Sequence, residues 1–265
     1  MPGNNILVVQ TKYGALIINR NDEYVGRSLL ATGTWCENEI DILRQVVTSG
    51  DTVVEVGANI GAHTIALSTM VGPTGTVHAF EPQRIIFYHL AGAVAINEVP
   101  QVHCHHAGVG AVAGTATVPP VDYGQSGNFG AVSLLPERSG MVPVTGRAGE
   151  EVPVVTIDSL NLTACHLLKI DAEGMERDVL AGAKDTIARL RPVIYTEWEY
   201  EREGPATALM LIRLGYRVFP HASPGNYNLL AFPAERGVGL KTPELLANDS
   251  GDGLVAFIRE DDRQT

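Results

Sequence analysis

Lysine is scarce: four of 265 residues, beside 15 arginines. These 19 basic residues face 30 acidic ones, for a formal net charge of −11, and no Lys/Arg run occurs. A binder of nucleic acid or of an anionic membrane needs a basic footprint. None is visible, so neither is expected as a partner. Long apolar runs are missing too. No stretch approaches the roughly 18 consecutive apolar residues of a membrane-spanning helix. The opening MPGNNILVVQTKYG has no basic segment followed by a long apolar one, so no secretory signal is expected. The three cysteines, Cys36, Cys104 and Cys165, are odd in number and lack CxxC spacing. Reduced thiols in a cytoplasmic protein are expected rather than a disulfide framework. Ser28, Ser68 and Ser126 lie in no GxSxG elbow, which leaves serine hydrolysis without support.

What is present reads as an α/β domain. Apolar residues make up 45% and charged residues 18%, a globular balance with ample material for a core. Apolar runs at 6–10 and 14–18 flank a turn and predict an N-terminal hairpin. Residues 35–48 carry Ile40, Leu43, Val46 and Val47 at helical spacing, with acids at the start that suit the helix dipole. From 51 onward short apolar runs alternate with helical patterns. Strands are expected at 52–56, 75–80, 102–106, 166–170, 193–198 and 216–219. Helices are expected at 61–70, 84–96, 175–190 and 206–214. The runs 227–232 and 254–258 fit antiparallel closing strands. This alternation implies a mostly parallel sheet with helices on both faces. Residues 1–50 form a hairpin and helix that are part of the core or packed on it, and 51–265 the main domain. Within it, ten of the 32 residues 119–150 are Gly or Pro. This irregular insertion is either a surface loop or a cover over the substrate.

The strand at 52–56 runs into Gly57-Ala58-Asn59-Ile60-Gly61, which opens a helix. A glycine turn at this place lets a ligand approach the backbone. Its GxxxG spacing matches neither the GxGxxG of dinucleotide sites nor the Walker loop. A nucleoside without a pyrophosphate fits better, and a tight strand–helix turn is the plainer alternative. Glu81 ends the next strand, 24 positions after Gly57. An acid there is placed to accept both hydroxyls of a ribose; otherwise it is an exposed acid capping the helix after Pro82.

Five blocks, in order, carry a resemblance. They are Val53-Val-Glu-Val-Gly-Ala-Asn-Ile-Gly61, Phe80-Glu81-Pro82, Leu168-Lys-Ile-Asp171-Ala-Glu173-Gly174-Met-Glu176, Val179-Leu-Ala-Gly-Ala183 and Arg191-Pro192-Val-Ile-Tyr-Thr-Glu197. Together they resemble the FkbM-type methyltransferases over about residues 50–200. The stretch from Thr32 through Glu39 is similar to the family's upstream segment more loosely. The resemblance implies a Rossmann-like class I methyltransferase fold with a seven-stranded sheet. It also implies S-adenosylmethionine as cofactor, S-adenosylhomocysteine as product, and O-methylation of sugars, polyketides or related natural products. Carried over by position, Glu55, Gly57, Ala58, Asn59 and Gly61 would shape the methionine and ribose part of the pocket. Glu81, with Pro82 beside it, would hold the ribose. His106 and Ala107 would flank the adenine, and Asp171 would reach the cofactor as well. His63 departs from the pattern, standing where an apolar or aromatic residue is expected.

Methyl transfer from a sulfonium is an in-line displacement that needs an aligned acceptor and usually a base. In an open α/β sheet both belong at the carboxyl ends of the strands. Lys169, Asp171 and Glu173 share one side of an extended backbone at such an end, and Glu197 ends the next strand. These four are the catalytic candidates. The plainer alternative is that Asp171 and Glu173 cap the helix near Gly174 while Lys169 pairs with one of them. The acids leave room for Mg²⁺, a hard ion that prefers oxygen ligands, but no metal is expected to be required. His103-Cys104-His105-His106 looks like zinc ligands. On a strand, however, 103 and 105 face one way and 104 and 106 the other, so four ligands cannot converge. The expected acceptor is a small hydroxylated molecule. A polysaccharide or peptide acceptor, or a non-catalytic nucleoside-binding module, are the alternatives, and the N-terminal hairpin reads as a homodimer element or a lid.

Overall fold

The chain opens with an antiparallel hairpin, β1 (Ile6–Gln10) and β2 (Ala15–Asn19), followed by helices α1 (Val25–Thr32) and α2 (Glu37–Val46). The computed structural model describes residues 5–135, 142–198, 205–223 and 226–236. Strand–helix alternation follows: β3 (Thr52–Val56), α3 (Ala62–Val71), β4 (Thr76–Phe80), α4 (Arg84–Ile96) and β5 (Val102–His105). A small three-stranded sheet interrupts it, made of β6 (Gly108–Val109), β7 (Gly114–Val118) and β8 (Glu150–Val155). The chain then returns through β9 (Leu167–Ile170), α5 (Glu176–Ala181), α6 (Lys184–Leu190), β10 (Val193–Glu197), α7 (Ala206–Arg213), β11 (Tyr216–Ser223) and β12 (Asn226–Pro233).

The main sheet has seven strands in the order β11-β12-β10-β9-β3-β4-β5. Strands β10, β9, β3, β4 and β5 run parallel, and β12 lies antiparallel to both β10 and β11. This is the expected mostly parallel sheet of the class I methyltransferase fold. Its strands are apolar on both faces because both are covered. Val54, Leu168, Ile170 and Ile194 pack with Val179 and Ile187 of α5 and α6 and Leu211 of α7. Their sequence neighbours Val53, Leu167 and Val193 face the other way, onto Leu43, Leu67 and Leu90 of α2, α3 and α4.

The hairpin packs on the body of the fold. Leu16 and Ile18 are buried with Val25, Leu29, Ile65, Ile86 and Phe129. The Ala15 amide donates to Asn97 Oδ1 at 2.8 Å, and Asn97 Nδ2 donates back to the Ala15 carbonyl at 2.7 Å, tying β2 to the end of α4.

Several local expectations change. The helix expected over 175–190 is two, α5 and α6, and between them Gly182 lies against Gly110: a β-carbon there would stand 2.1 Å from the Gly110 carbonyl oxygen. Asp158 then starts α6 anew, accepting the Asp185 and Thr186 amides at 3.0 and 2.7 Å. Helix α1 and the strands β6, β7 and β8 were not expected. Strand β5 ends at His105 rather than 106, and β11 extends to Ser223 rather than 219. The strand expected at 254–258 lies outside the described residues. The sheet reaches seven strands without it.

Candidate active site

The Gly57–Gly61 turn is shaped by what it touches. Gly57 has φ +79°, and a β-carbon there would lie 1.7 Å from the Asp171 carbonyl oxygen. The first glycine is therefore needed where the tips of β3 and β9 meet, before any ligand arrives. Asn59 also takes a left-handed φ of 50°, a conformation asparagine tolerates through local hydrogen bonding. Its side-chain oxygen accepts the Ile60 amide at 2.7 Å. Gly61, at φ +92°, starts α3 against Leu90.

Glu81, at the tip of β4, is 3% exposed. It is therefore not an exposed acid. It accepts the Asn59 amide at 3.0 Å and the Gln83 amide at 2.8 Å. A carboxylate has about four lone-pair sites; the Gln83 side chain also bonds to it, and the capacity left over is open to a ligand. Burial, against these hydrogen bonds, raises its pKa from 4.5 to about 7.

These groups border a cavity of about 350 Å³ at the carboxyl ends of β3, β4, β9 and β10, where open α/β sheets bind ligands. Gly57, Ala58, Asn59, Glu81, Pro82 and Ala107 line one part, and Asp171, Glu173 and Glu197 another. Each of these three acids places a carboxylate oxygen within 4.8 Å of the others. Their convergence comes from β9 and β10 lying side by side, and from a strained turn: Glu173 has φ 50° and Gly174 φ 99°. The helix-capping alternative fails here, because Glu176 serves the turn. Its Oε1 accepts the Ala172 and Gly174 amides at 2.9 and 3.1 Å, leaving Asp171 directed to the cavity.

Other candidates fall outside the cavity wall. Lys169 is 2% exposed, with its ammonium 3.7 Å from Asp171 Oδ2 and 3.8 Å from Glu55 Oε1. Burial opposes its charge, but Asp171, Glu55 and Glu39 outweigh burial and hold its pKa above 10.5. Lys169 thus stands behind the cavity wall, paired with an acid that lines it, as the plainer alternative had it. Glu55 is fully buried and accepts the Thr64 hydroxyl at 2.6 Å; burial pushes its pKa up. Gly61 lies behind the wall. His106 turns away, with Nε2 3.1 Å from the Pro82 carbonyl and its ring on Phe87.

The remaining wall comes from two segments outside the strand–helix alternation. Tyr24, Trp35 and Cys36 border the cavity from the N-terminal segment, and Asn128 and Gly130 from the insertion. The insertion is pinned in place, since Gln83 Nε2 donates to the Phe129 carbonyl at 2.9 Å and Tyr123 donates to Gln83 Oε1 at 3.1 Å. His63 also lines the cavity, with Nε2 3.8 Å from Glu39 Oε2. Burial and the nearby Lys169 push its pKa well below 6.5. The three cysteines are free thiols, and no helix among the described residues is long and apolar enough to cross a membrane.

Comparison with known proteins gives the family of the chain. The family model of the methyltransferase FkbM domain matches residues 55–218. Among solved structures, the chain is similar to a methyltransferase FkbM from Methylobacillus flagellatus, with 21% identity and a TM-score of 0.49. That match covers 69% of this chain and 44% of the other, so the chain spans less than half of that protein's length. A precorrin-6y C5,15-methyltransferase from Geobacter metallireducens is 12% identical, with a TM-score of 0.48 and 78% and 92% of the two chains covered. A SAM-dependent O-methyltransferase from Thermotoga maritima is 13% identical, with a TM-score of 0.48 and 88% and 79% covered. No curated protein matches. With well over half of its length matched from the glycine turn to β11, the chain belongs to the FkbM methyltransferase domain family.

Proposed function

We propose that the chain is an S-adenosylmethionine-dependent O-methyltransferase that acts on a hydroxyl of a small molecule such as a sugar, glycoside or polyketide. The observation that supports this most is one cavity bordered both by Glu81 and by the Asp171, Glu173 and Glu197 cluster. The residues fit a nucleoside: Glu81 is a buried carboxylate with lone pairs to spare, set beside a turn of bare backbone. S-adenosylmethionine, when bound, supplies a methyl group on a sulfonium. Glu81 would accept the ribose hydroxyls, the Gly57–Asn59 backbone would border the ribose and methionine portion, and Pro82 and Ala107 would enclose the adenine.

At the acceptor end, Asp171, Glu173 and Glu197 accept hydrogen bonds from hydroxyl groups and so orient the acceptor. Asp171 takes the proton of the reacting hydroxyl, and Lys169 beneath it fixes its direction. Among the described residues no Lys or Arg lines the cavity. That suits an uncharged acceptor better than a phosphorylated one. The reading needs no metal ion.

The test is calorimetric titration with S-adenosylhomocysteine, with NADH as control, with and without Mg²⁺. A panel of sugars and phenolic glycosides with labelled S-adenosylmethionine follows. Binding of the thioether alone, then label transfer to a hydroxyl, is the expected result. A folded protein that ignores S-adenosylhomocysteine would overturn the reading. A Mg²⁺-dependent affinity would assign the three acids to an ion instead.

A further inference from the structure

The sequence presents His103-Cys104-His105-His106 on one strand, where alternation splits the four side chains between two faces. The structure adds a partner that the sequence does not reveal. Strands β4 and β5 pair in parallel, with His78 opposite His103 and Phe80 opposite His105. His78, His103 and His105 therefore stand on one face at the edge of the sheet. Their rings lie 5.3 Å (His78 to His103) and 5.5 Å (His78 to His105) apart, centroid to centroid. Cys104 points to the opposite face, into the cluster around Val77, Leu90 and Val102, and His106 is held at the Pro82 carbonyl.

We propose that His78, His103 and His105 form a binding site for a borderline transition-metal ion of the zinc class, separate from the acidic cavity. His78 Nδ1 and His105 Nε2 share a hydrogen bond at 3.2 Å, whose proton an ion would replace. Two nitrogens bound to one tetrahedral ion at about 2.0–2.1 Å are separated by about 3.3 Å, so this pair already has the spacing of two ligands. The exposed His103 supplies the third by rotation about its side-chain torsions, as rotamer exchange at a surface permits. Three imidazoles with a fourth position open to water is an established arrangement for zinc. Imidazole also selects zinc, copper or nickel over magnesium or calcium, which favour oxygen.

The site adjoins the cofactor cavity. The His105 carbonyl accepts the amides of Glu81, at 3.1 Å, and Ala107, at 3.0 Å. The His105 ring stacks on Phe80, another wall residue, at 4.3 Å. An ion here would brace the strand ends that carry Glu81 and Ala107.

The test uses the full chain without a histidine tag, titrated calorimetrically with Zn²⁺ and followed by visible absorption with Co²⁺. One Zn²⁺ per chain, a tetrahedral Co²⁺ spectrum and no competition from excess Mg²⁺ are expected. His103→Gln, at an exposed position, should weaken Zn²⁺ binding at least tenfold; losing even an outer-shell partner costs about 10–100-fold. An Asp171→Asn, Glu173→Gln double variant should leave binding unchanged. No Zn²⁺ uptake by the wild-type chain, or binding that survives His103→Gln but is lost with the two acids, overturns the proposal.

Discussion

Gly57 and Asp171 meet backbone to backbone, so closely that a β-carbon on Gly57 would sit 1.7 Å from the Asp171 carbonyl oxygen. The contact joins the glycine turn of one strand to the acid at the tip of its neighbour. Gly57→Ala adds a left-handed alanine, at φ +79°, to an overlap with unyielding backbone. A stability loss of about 3 kcal/mol or more is expected in urea denaturation. Any folded fraction should bind S-adenosylhomocysteine poorly. An unchanged midpoint would show that the strand tips can separate freely.

If Glu81 holds the ribose as proposed, cofactor affinity is expected to depend on pH. The Glu81 pKa is raised from 4.5 to about 7 by burial, so the folded protein carries a growing share of neutral carboxyl as pH falls through 7. The neutral form accepts fewer hydroxyl hydrogen bonds. S-adenosylhomocysteine affinity should therefore rise between pH 6 and pH 8. Glu81→Gln should flatten that profile, and Glu81→Ala should weaken binding by about 1–3 kcal/mol. Unchanged affinity in a folded Glu81→Ala protein removes the ribose assignment.

Lys169 is the buried cation between Glu55 and Asp171. Lys169→Met leaves Glu55 buried without it, and breaking such a pair costs about 3–5 kcal/mol. Adding Glu55→Gln removes the stranded charge and should restore most of the loss. A double-mutant cycle by chemical denaturation measures this. Simple additivity would mean that the two groups do not interact.

Asp171→Asn keeps the shape of the side chain and removes its capacity to take a proton. The fold and S-adenosylhomocysteine binding should persist, while methyl transfer to the acceptor found by screening falls by about 10²-fold or more. Single-turnover kinetics separates this from slow product release. Near-normal turnover would take Asp171 out of the role of base and pass it to Glu173 or Glu197.

The strands of the main sheet from 52 onward were legible because each depends on local periodicity and turn residues, whereas β6, β7 and β8 were not. Gly57, Glu81 and Asp171 were legible too, since they stand at strand ends that the alternation itself marks. The function of the first glycine was only half legible: the backbone it must clear belongs to Asp171, over a hundred residues later in the chain. His106 shows the reverse case. The resemblance places both His106 and Ala107 beside the cofactor, but Phe87 and the Pro82 carbonyl hold His106 away, and of the two only Ala107 lines the cavity.

By itself, the sequence determined the alternating α/β pattern, the glycine turn and the acids at the strand tips, since these follow from residue type and spacing along one segment. Only the tertiary structure decided which distant groups meet. It set Gly182 against Gly110, restarted α6 on Asp158, and pinned the insertion to Gln83. It also set His78 beside His103 and His105. Each of these depends on the register of neighbouring strands or on packing between segments far apart in the chain, which local periodicity does not encode.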